Sequence, residues 1–207
     1  MRRSLLALLA WSSLVGAQQA QPGPELKKLA YFIGTWRGQG EMRASMFGPA
    51  GTVSNTTRNE WTLNKFFYIS HHEEQNTSGT FEVLSITGYD PEKKVYVSYS
   101  FDMQGGVGRR VGTLTHGQPA VAAPHGARPD AGHDTARGAA PPAGGDETWT
   151  PGDRWTWTSE YVVGGRTIKS RGVDTPTSAT SYRFIWQIAP NGNDWQTVQS
   201  GTATRVQ

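Results

Sequence analysis

Hydrophobic and polar positions alternate with period two along most of this chain. Tyr182, Phe184, Trp186 and Ile188 alternate with Ser181, Arg183, Ile185 and Gln187, and Val95, Val97, Tyr99 and Phe101 alternate with Lys94, Tyr96, Ser98 and Ser100. Trp155 and Trp157 share a face opposite Thr156 and Thr158. Successive side chains of a strand point to opposite faces, so each segment reads as a strand with one apolar, aromatic face and one mostly polar face. The pattern predicts strands over Thr35–Arg43, Thr52–Leu63, Phe66–Glu74, Thr80–Tyr89, Lys94–Phe101, Val107–His116, Arg154–Val163, Arg166–Asp174, Thr180–Ala189 and Trp195–Arg205. Turn signals at Asp90-Pro91-Glu92-Lys93, Gly164-Gly165 and Asn191-Gly192-Asn193 join several of them as hairpins. One segment has a different period: Leu26, Leu29, Ala30 and Ile33 recur at i, i+3, i+4 and i+7, with Pro24 in the first turn and Gly34 after the end, which is one short amphipathic helix.

One short helix cannot cover the apolar face of so many strands. The sheet must fold over as a sandwich or close on itself, and closure removes its exposed edges and encloses a cavity. The expected fold is therefore all-β: an antiparallel, up-and-down β-barrel of roughly ten strands with one short N-terminal helix.

Composition narrows the function classes. The 207 residues include no cysteine, which removes disulfide scaffolds, thiolate metal sites and thiol nucleophiles. Charged residues are few at 18% and aromatic residues plentiful at 11%, the balance of a folded domain rather than a solvated coil. Met1-Arg2-Arg3, an apolar run from Leu5 to Leu14 and the small residues Val15-Gly16-Ala17 have the layout of a secretory leader cleaved after Ala17. The expected organisation is a signal peptide over residues 1–17 and one barrel domain over 18–207, exported to a periplasmic or extracellular location. The apolar run is too short for a membrane anchor. Without Arg2 and Arg3 the formal charge of +3 falls to +1, with no basic run to suggest nucleic acid as a partner. Residues 117–147 are mostly Gly, Ala and Pro with no aromatic residue, and read as a disordered loop inserted between two strands, its His125 and His133 solvated.

Gly34-Thr35-Trp36-Arg37-Gly38-Gln39-Gly40 follows the helix directly and points Trp36 inward beside glycines that let the strand bend. Here the chain resembles the calycin superfamily of barrels, which holds lipocalins, fatty-acid-binding proteins and nitrobindins. More closely it resembles the bacterial family labelled domain of unknown function 1579. The residues carrying that likeness are Pro24 to Trp36, Glu60-Trp61, Gly88-Tyr89-Asp90-Pro91 with Tyr96, Trp155-Thr156-Trp157-Thr158, Tyr182-Arg183-Phe184 and Gly201-Thr202-Ala203-Thr204. The resemblance implies a barrel of about ten strands and no established catalytic activity. By analogy with lipocalins it also implies that a basic residue near the end of the last strand, Arg205, latches across Trp36. Nitrobindins hold haem through a histidine late in the chain; none follows His133 here, so no cofactor is expected.

The chemistry-bearing candidates are sparse. His71-His72-Glu73-Glu74 places His71 with Glu73 on one face of a strand and His72 with Glu74 on the other, too few ligands for a metal site. Gly105-Gly106-Val107-Gly108 lies between strands and not before a helix, so it is no phosphate cradle. The leading expectation is a non-enzymatic barrel binding a small, largely apolar molecule in a cavity lined by Trp36, Trp61, Tyr99, Trp155, Trp157, Tyr182, Phe184 and Trp186. The alternatives are an enzyme at the barrel mouth, with His72 as base and Glu74 or Glu60 assisting, or a solid-cored interaction protein of the cell envelope.

Overall fold

The structure, a computed structural model, describes residues 20–116 and 152–206. The expected leader and the expected loop over 117–147 lie outside the described residues. The described chain begins with helix α1 (Pro24–Lys28), which tightens into a 3-10 turn over Leu29–Phe32. Ten strands follow: β1 (Gly34–Met42), β2 (Gly51–Thr62), β3 (Phe67–Asn76), β4 (Gly79–Asp90), β5 (Val95–Asp102), β6 (Val107–Thr115), β7 (Arg154–Val163), β8 (Arg166–Ser178), β9 (Ser181–Ala189) and β10 (Gln196–Val206). Each pairs antiparallel with the next, and β10 pairs back onto β1, so the sheet is a closed up-and-down barrel. The ten strands lie where the period-two pattern puts them, except that β8 runs past Asp174 to Ser178. The helix is shorter than its apolar spacing suggests, because the 3-10 turn brings Tyr31 and Phe32 together onto the buried side.

Closure depends on small residues where first and last strands meet. Gly40 stands opposite Gly201, and a Cβ built on either would lie 2.8 Å from the other's Cα. At the start of β1, Gly34 has φ +110°, a conformation glycine adopts freely, and this redirects the chain from the 3-10 turn into the barrel wall.

The helix forms a plug across one end. Leu26, Leu29, Tyr31 and Phe32 are buried in one cluster with Trp36, Tyr68, Tyr96, Trp155, Trp157 and Ala203. The rings meet in tilted and edge-on pairs: Trp36 with Tyr182 at 5.0 Å, Tyr96 with Trp155 at 4.7 Å and Phe32 with Trp155 at 5.4 Å. Such pairs add about 0.5–1.5 kcal/mol each beyond area burial. Hydrogen bonds fix the plug's orientation: Trp36 Nε1 donates to Phe32 O at 2.8 Å, Tyr31 OH to Ser181 O at 2.7 Å, and Tyr96 OH to Glu25 Oε2 at 2.9 Å. Arg205, near the end of β10, stacks on Trp36 at 4.5 Å and donates to Ile33 O at 2.5 Å and Tyr31 O at 2.6 Å. One guanidinium thus joins the last strand, the first strand and the carbonyls ending the 3-10 turn.

At the other end a smaller cluster of Met42, Ile168, Ile188 and Val198 is capped by Phe47 from the β1–β2 connection, whose ring lies 4.9 Å from that of Trp186. His116 and Asp153, on either side of the undescribed segment, come within 3.0 Å of each other.

Candidate functional site

The barrel has two different inner walls. Across β7, β8 and β9 the inward positions include Trp155, Trp157, Tyr182, Phe184 and Trp186, with Trp36 beside them from β1. Register aligns Trp155, Asp174 and Phe184 in one row, and Trp157, Gly172 and Trp186 in another. Across β3 to β6 one row is Tyr68, Thr87, Ser98 and Arg110, and the inward row beyond it is Ser70, Ser85, Ser100 and Gly108. This wall is hydroxylic, and Thr87 donates to Ser98 across it at 3.0 Å.

Between the two end clusters the inward side chains differ in how completely they are covered. Trp36 and Trp155 are fully buried. Tyr182, Phe184, Trp186, Ser100, Arg110 and Asp174 face inward yet are only partly covered. Register sets Asp174 on the inner face between Trp155 and Phe184.

Arg110 and Asp174 are charged groups of the barrel interior that sequence reasoning missed. Burial pushes the Asp174 carboxyl up to about 6, while Arg110 and the Trp157 indole N–H pull the other way. Among the described residues, Arg110 makes no ion pair, its Nε is buried with no hydrogen-bond partner, and its guanidinium carbon lies over the Trp157 ring, 5.8 Å from the centroid. A sequence signal for Arg110 exists in Gly108-x-Arg110-x-Gly112, an arginine flanked on its own face by glycines. A Cβ on Gly112 would stand 2.5 Å from the Trp157 ring, so this glycine makes room for that ring beside the guanidinium. Burial also raises the hydroxyls of Tyr68 and Tyr182, with Asp174 adding to the shift, so both stay protonated donors.

Asp174 supplies a prediction. Its folded value lies above the ordinary 3.8, so its protonated form favours folding below that value, and the advantage is lost as pH rises through about 6. Asp174→Asn is expected to stabilise the protein by about 2 kcal/mol at pH 7.5 and by almost nothing at pH 4, read from urea unfolding at both values.

Trp36, Trp155, Trp157, Tyr182, Phe184 and Trp186 lie inside, and Trp61 packs partly buried against the main cluster, its ring 6.4 Å from Tyr68. Tyr99 does not line the interior. It is 49% exposed on the outer surface, in a shallow groove of about 200 Å³ shared with Phe67, Val97 and Arg109. On β5 the inner face is Tyr96, Ser98 and Ser100, and the apolar series of Val97, Tyr99 and Phe101 faces out. A larger groove, about 560 Å³, crosses the outer ends of β1 to β3. Its lining of Gln39, Thr52, Ser54, Gln75, Asn76 and Thr77 carries no ionised or aromatic group, so the interior holds the richer chemistry.

His72 and Glu74 do share the inner face of β3 near the Phe47 end. Thr57 Oγ1 lies 2.8 Å from His72 Nδ1, and His72 Nε2 lies 3.7 Å from Glu74 Oε2. The first contact is a hydrogen bond, whereas the second is longer than one. Burial opposes ionisation of Glu74, but His72, Asn76 and Gln199 outweigh it and hold the carboxyl below its usual value. The stability this contributes is present above 4.5 and lost as pH falls through the lowered value. Glu60 is not part of this group: it lies exposed on the outside, paired with Arg58. Among the described residues no group of three or more His, Asp or Glu is placed to hold a metal ion, and no helix is long and apolar enough to cross a membrane.

No curated protein sequence matches this chain. Among solved structures, the crystal structure of Rv2717c from M. tuberculosis superposes with a TM-score of 0.54 at 9% identity, covering 90% of this chain and 100% of that one, a likeness of fold alone. Residues 21–119, from the segment before the helix through β6, match the family described as Protein of unknown function (DUF1579).

Proposed function

We propose that this protein binds a small molecule with an aromatic or aliphatic body inside a calycin-type barrel, and that it does so after export. The observation carrying this reading is the set of inward side chains, Phe184, Trp186, Tyr182 and Ser100 among them, that stay partly uncovered between two closed ends. Small-molecule sites are typically enclosed and mostly apolar, with a few placed polar groups. The aromatic wall supplies the first feature and the hydroxylic wall the second. A solid core would have left these rings buried as completely as Trp36.

Binding is expected to quench or shift tryptophan fluorescence, since Trp157 and Trp186 stand on the aromatic wall. A titration series of small alkylbenzenes, aliphatic alcohols and fatty acids should contain members giving a saturable one-to-one response. No saturable response to any of them would defeat the reading. Phe184→Ala should weaken the tightest member about tenfold by removing ring contact, whereas Tyr99→Ser, on the outer surface, should leave the affinity within about twofold. Export is tested separately by N-terminal sequencing of the mature protein, expected to begin at Gln18.

A further inference from the structure

A guanidinium inside a barrel is costly unless its donors are met. Arg110 sits on β6 between Gly108 and Gly112, and its Nε is buried without a partner among the described residues. Asp174 stands on β8 in the aromatic wall, close enough for the two charges to influence one another, yet not within 4 Å as an ion pair. The groups facing Asp174 are Arg110 from β6, Trp157 from β7, Tyr182 from β9, Tyr68 from β3 and Tyr31 from the 3-10 turn. The only cation among them is unpaired, and the carboxyl is held apart from it.

A ligand group lying between the two would meet the unpartnered Arg110 Nε. A hydrocarbon would leave Arg110 unmet, and a cation would be repelled by it. A carboxylate supplies the planar acceptor that suits a guanidinium. It also brings a second carboxyl group close to Asp174, and two carboxyl groups at short range do not both ionise.

Resting on the cavity reading above, we propose that the ligand is a small carboxylic acid whose carboxyl group lies between Arg110 and Asp174, with its body against Phe184 and Trp186. Asp174 brings the proton already bound at lower pH, and above about pH 6 one proton is taken from solvent on binding; in either case it is held between the ligand carboxyl and that of Asp174. No bond is made or broken in the ligand. The already raised value of Asp174 lowers the cost of that proton near neutral pH.

The probes are 4-phenylbutyric acid, its primary amide and n-butylbenzene, titrated against the full chain from pH 5.5 to 8.5 by tryptophan fluorescence. The acid is anionic throughout this range. Its affinity should be level below about pH 6 and fall about tenfold per pH unit above it, because one proton enters per ligand. The amide, which brings its own N–H, and butylbenzene should show no such slope. In Asp174→Asn, which presents a permanent N–H donor, the acid's slope should flatten and its affinity at pH 8 should exceed that of the unaltered protein. Arg110→Met should lower the ratio of acid to butylbenzene affinity at least tenfold. Should that variant not fold, Arg110→Lys, which keeps the charge but loses the planar fork, should lower the ratio by a smaller factor.

Butylbenzene binding together with a pH-independent acid affinity, or with an acid-to-hydrocarbon ratio untouched by either Arg110 variant, would overturn the proposal and leave the cavity reading standing. Failure of all three probes to bind would overturn both.

Discussion

Trp36→Ala is expected to lose about 3–5 kcal/mol of folding free energy, enough to unfold a domain of ordinary stability, as measured by urea or thermal unfolding against the unaltered protein. The indole is fully buried and holds three things at once: its N–H meets Phe32 O, its face carries Arg205, and its edge meets Tyr31 and Tyr182. Removing the ring leaves a cavity in the plug and strips Arg205 of its stacking partner. Arg205→Ala separates these effects. It keeps the ring but frees the carbonyls of Tyr31 and Ile33, and should cost about 2 kcal/mol, a cation–π contact plus two charge-assisted hydrogen bonds. If both variants unfold at the same denaturant concentration as the unaltered protein, the plug is not what secures the barrel end.

Gly40→Val is expected to be comparably severe for a different reason. The β1 and β10 backbones approach so closely at Gly40 and Gly201 that an added Cβ on the first meets Ser200 O and lies 2.8 Å from Gly201 Cα. Those are backbone atoms, which cannot swing aside as a side chain would. The barrel must open at its closing seam or the strand must shift, so overpacking should cost several kcal/mol, about 3 or more, or prevent folding. Gly38→Ala is the milder comparison. Its Cβ would meet the Asn55 side chain, which can rotate away, so the expected loss is nearer 1 kcal/mol. Equal stability of Gly40→Val and the unaltered protein would mean that the seam is not under this constraint.

The strands and their up-and-down order were legible because alternation is a property of the backbone, whatever lies on either face. Which face turns inward was legible only where the two faces differ in the usual sense. On β9, Tyr182, Phe184 and Trp186 alternate with mostly polar neighbours, and the aromatic face is indeed the inner one. On β5 the pattern inverts: Ser98 is fully buried while Tyr99 and Phe101 are 49% and 44% exposed. The bulk inside the barrel is unevenly shared between its walls. The large rings stand on β7 to β9, whereas β3 to β6 carry Ser, Thr and Gly beside Tyr68, Tyr96 and Arg110 inside and place Tyr99 and Phe101 outside. Hydrophobicity along a single strand cannot report that, because the compensating bulk belongs to strands far away in the chain. Asp174 was hidden for the same reason, a lone acid at the end of an expected strand whose register sets it between Trp155 and Phe184. The Arg205 latch, by contrast, was legible only through the likeness to lipocalins, and the β1–β10 register sets Arg205 opposite Trp36.

The central claim is that the barrel interior is a chamber that holds a small molecule. Native mass spectrometry tests it most directly, on protein purified without unfolding from its own host and compared with Ser100→Trp, which places a large ring in the hydroxylic wall. The account predicts that the unaltered protein carries a stoichiometric, non-covalent small-molecule adduct that the folded Ser100→Trp protein lacks. An adduct retained undiminished in Ser100→Trp, or a bare chain in both proteins, would contradict it.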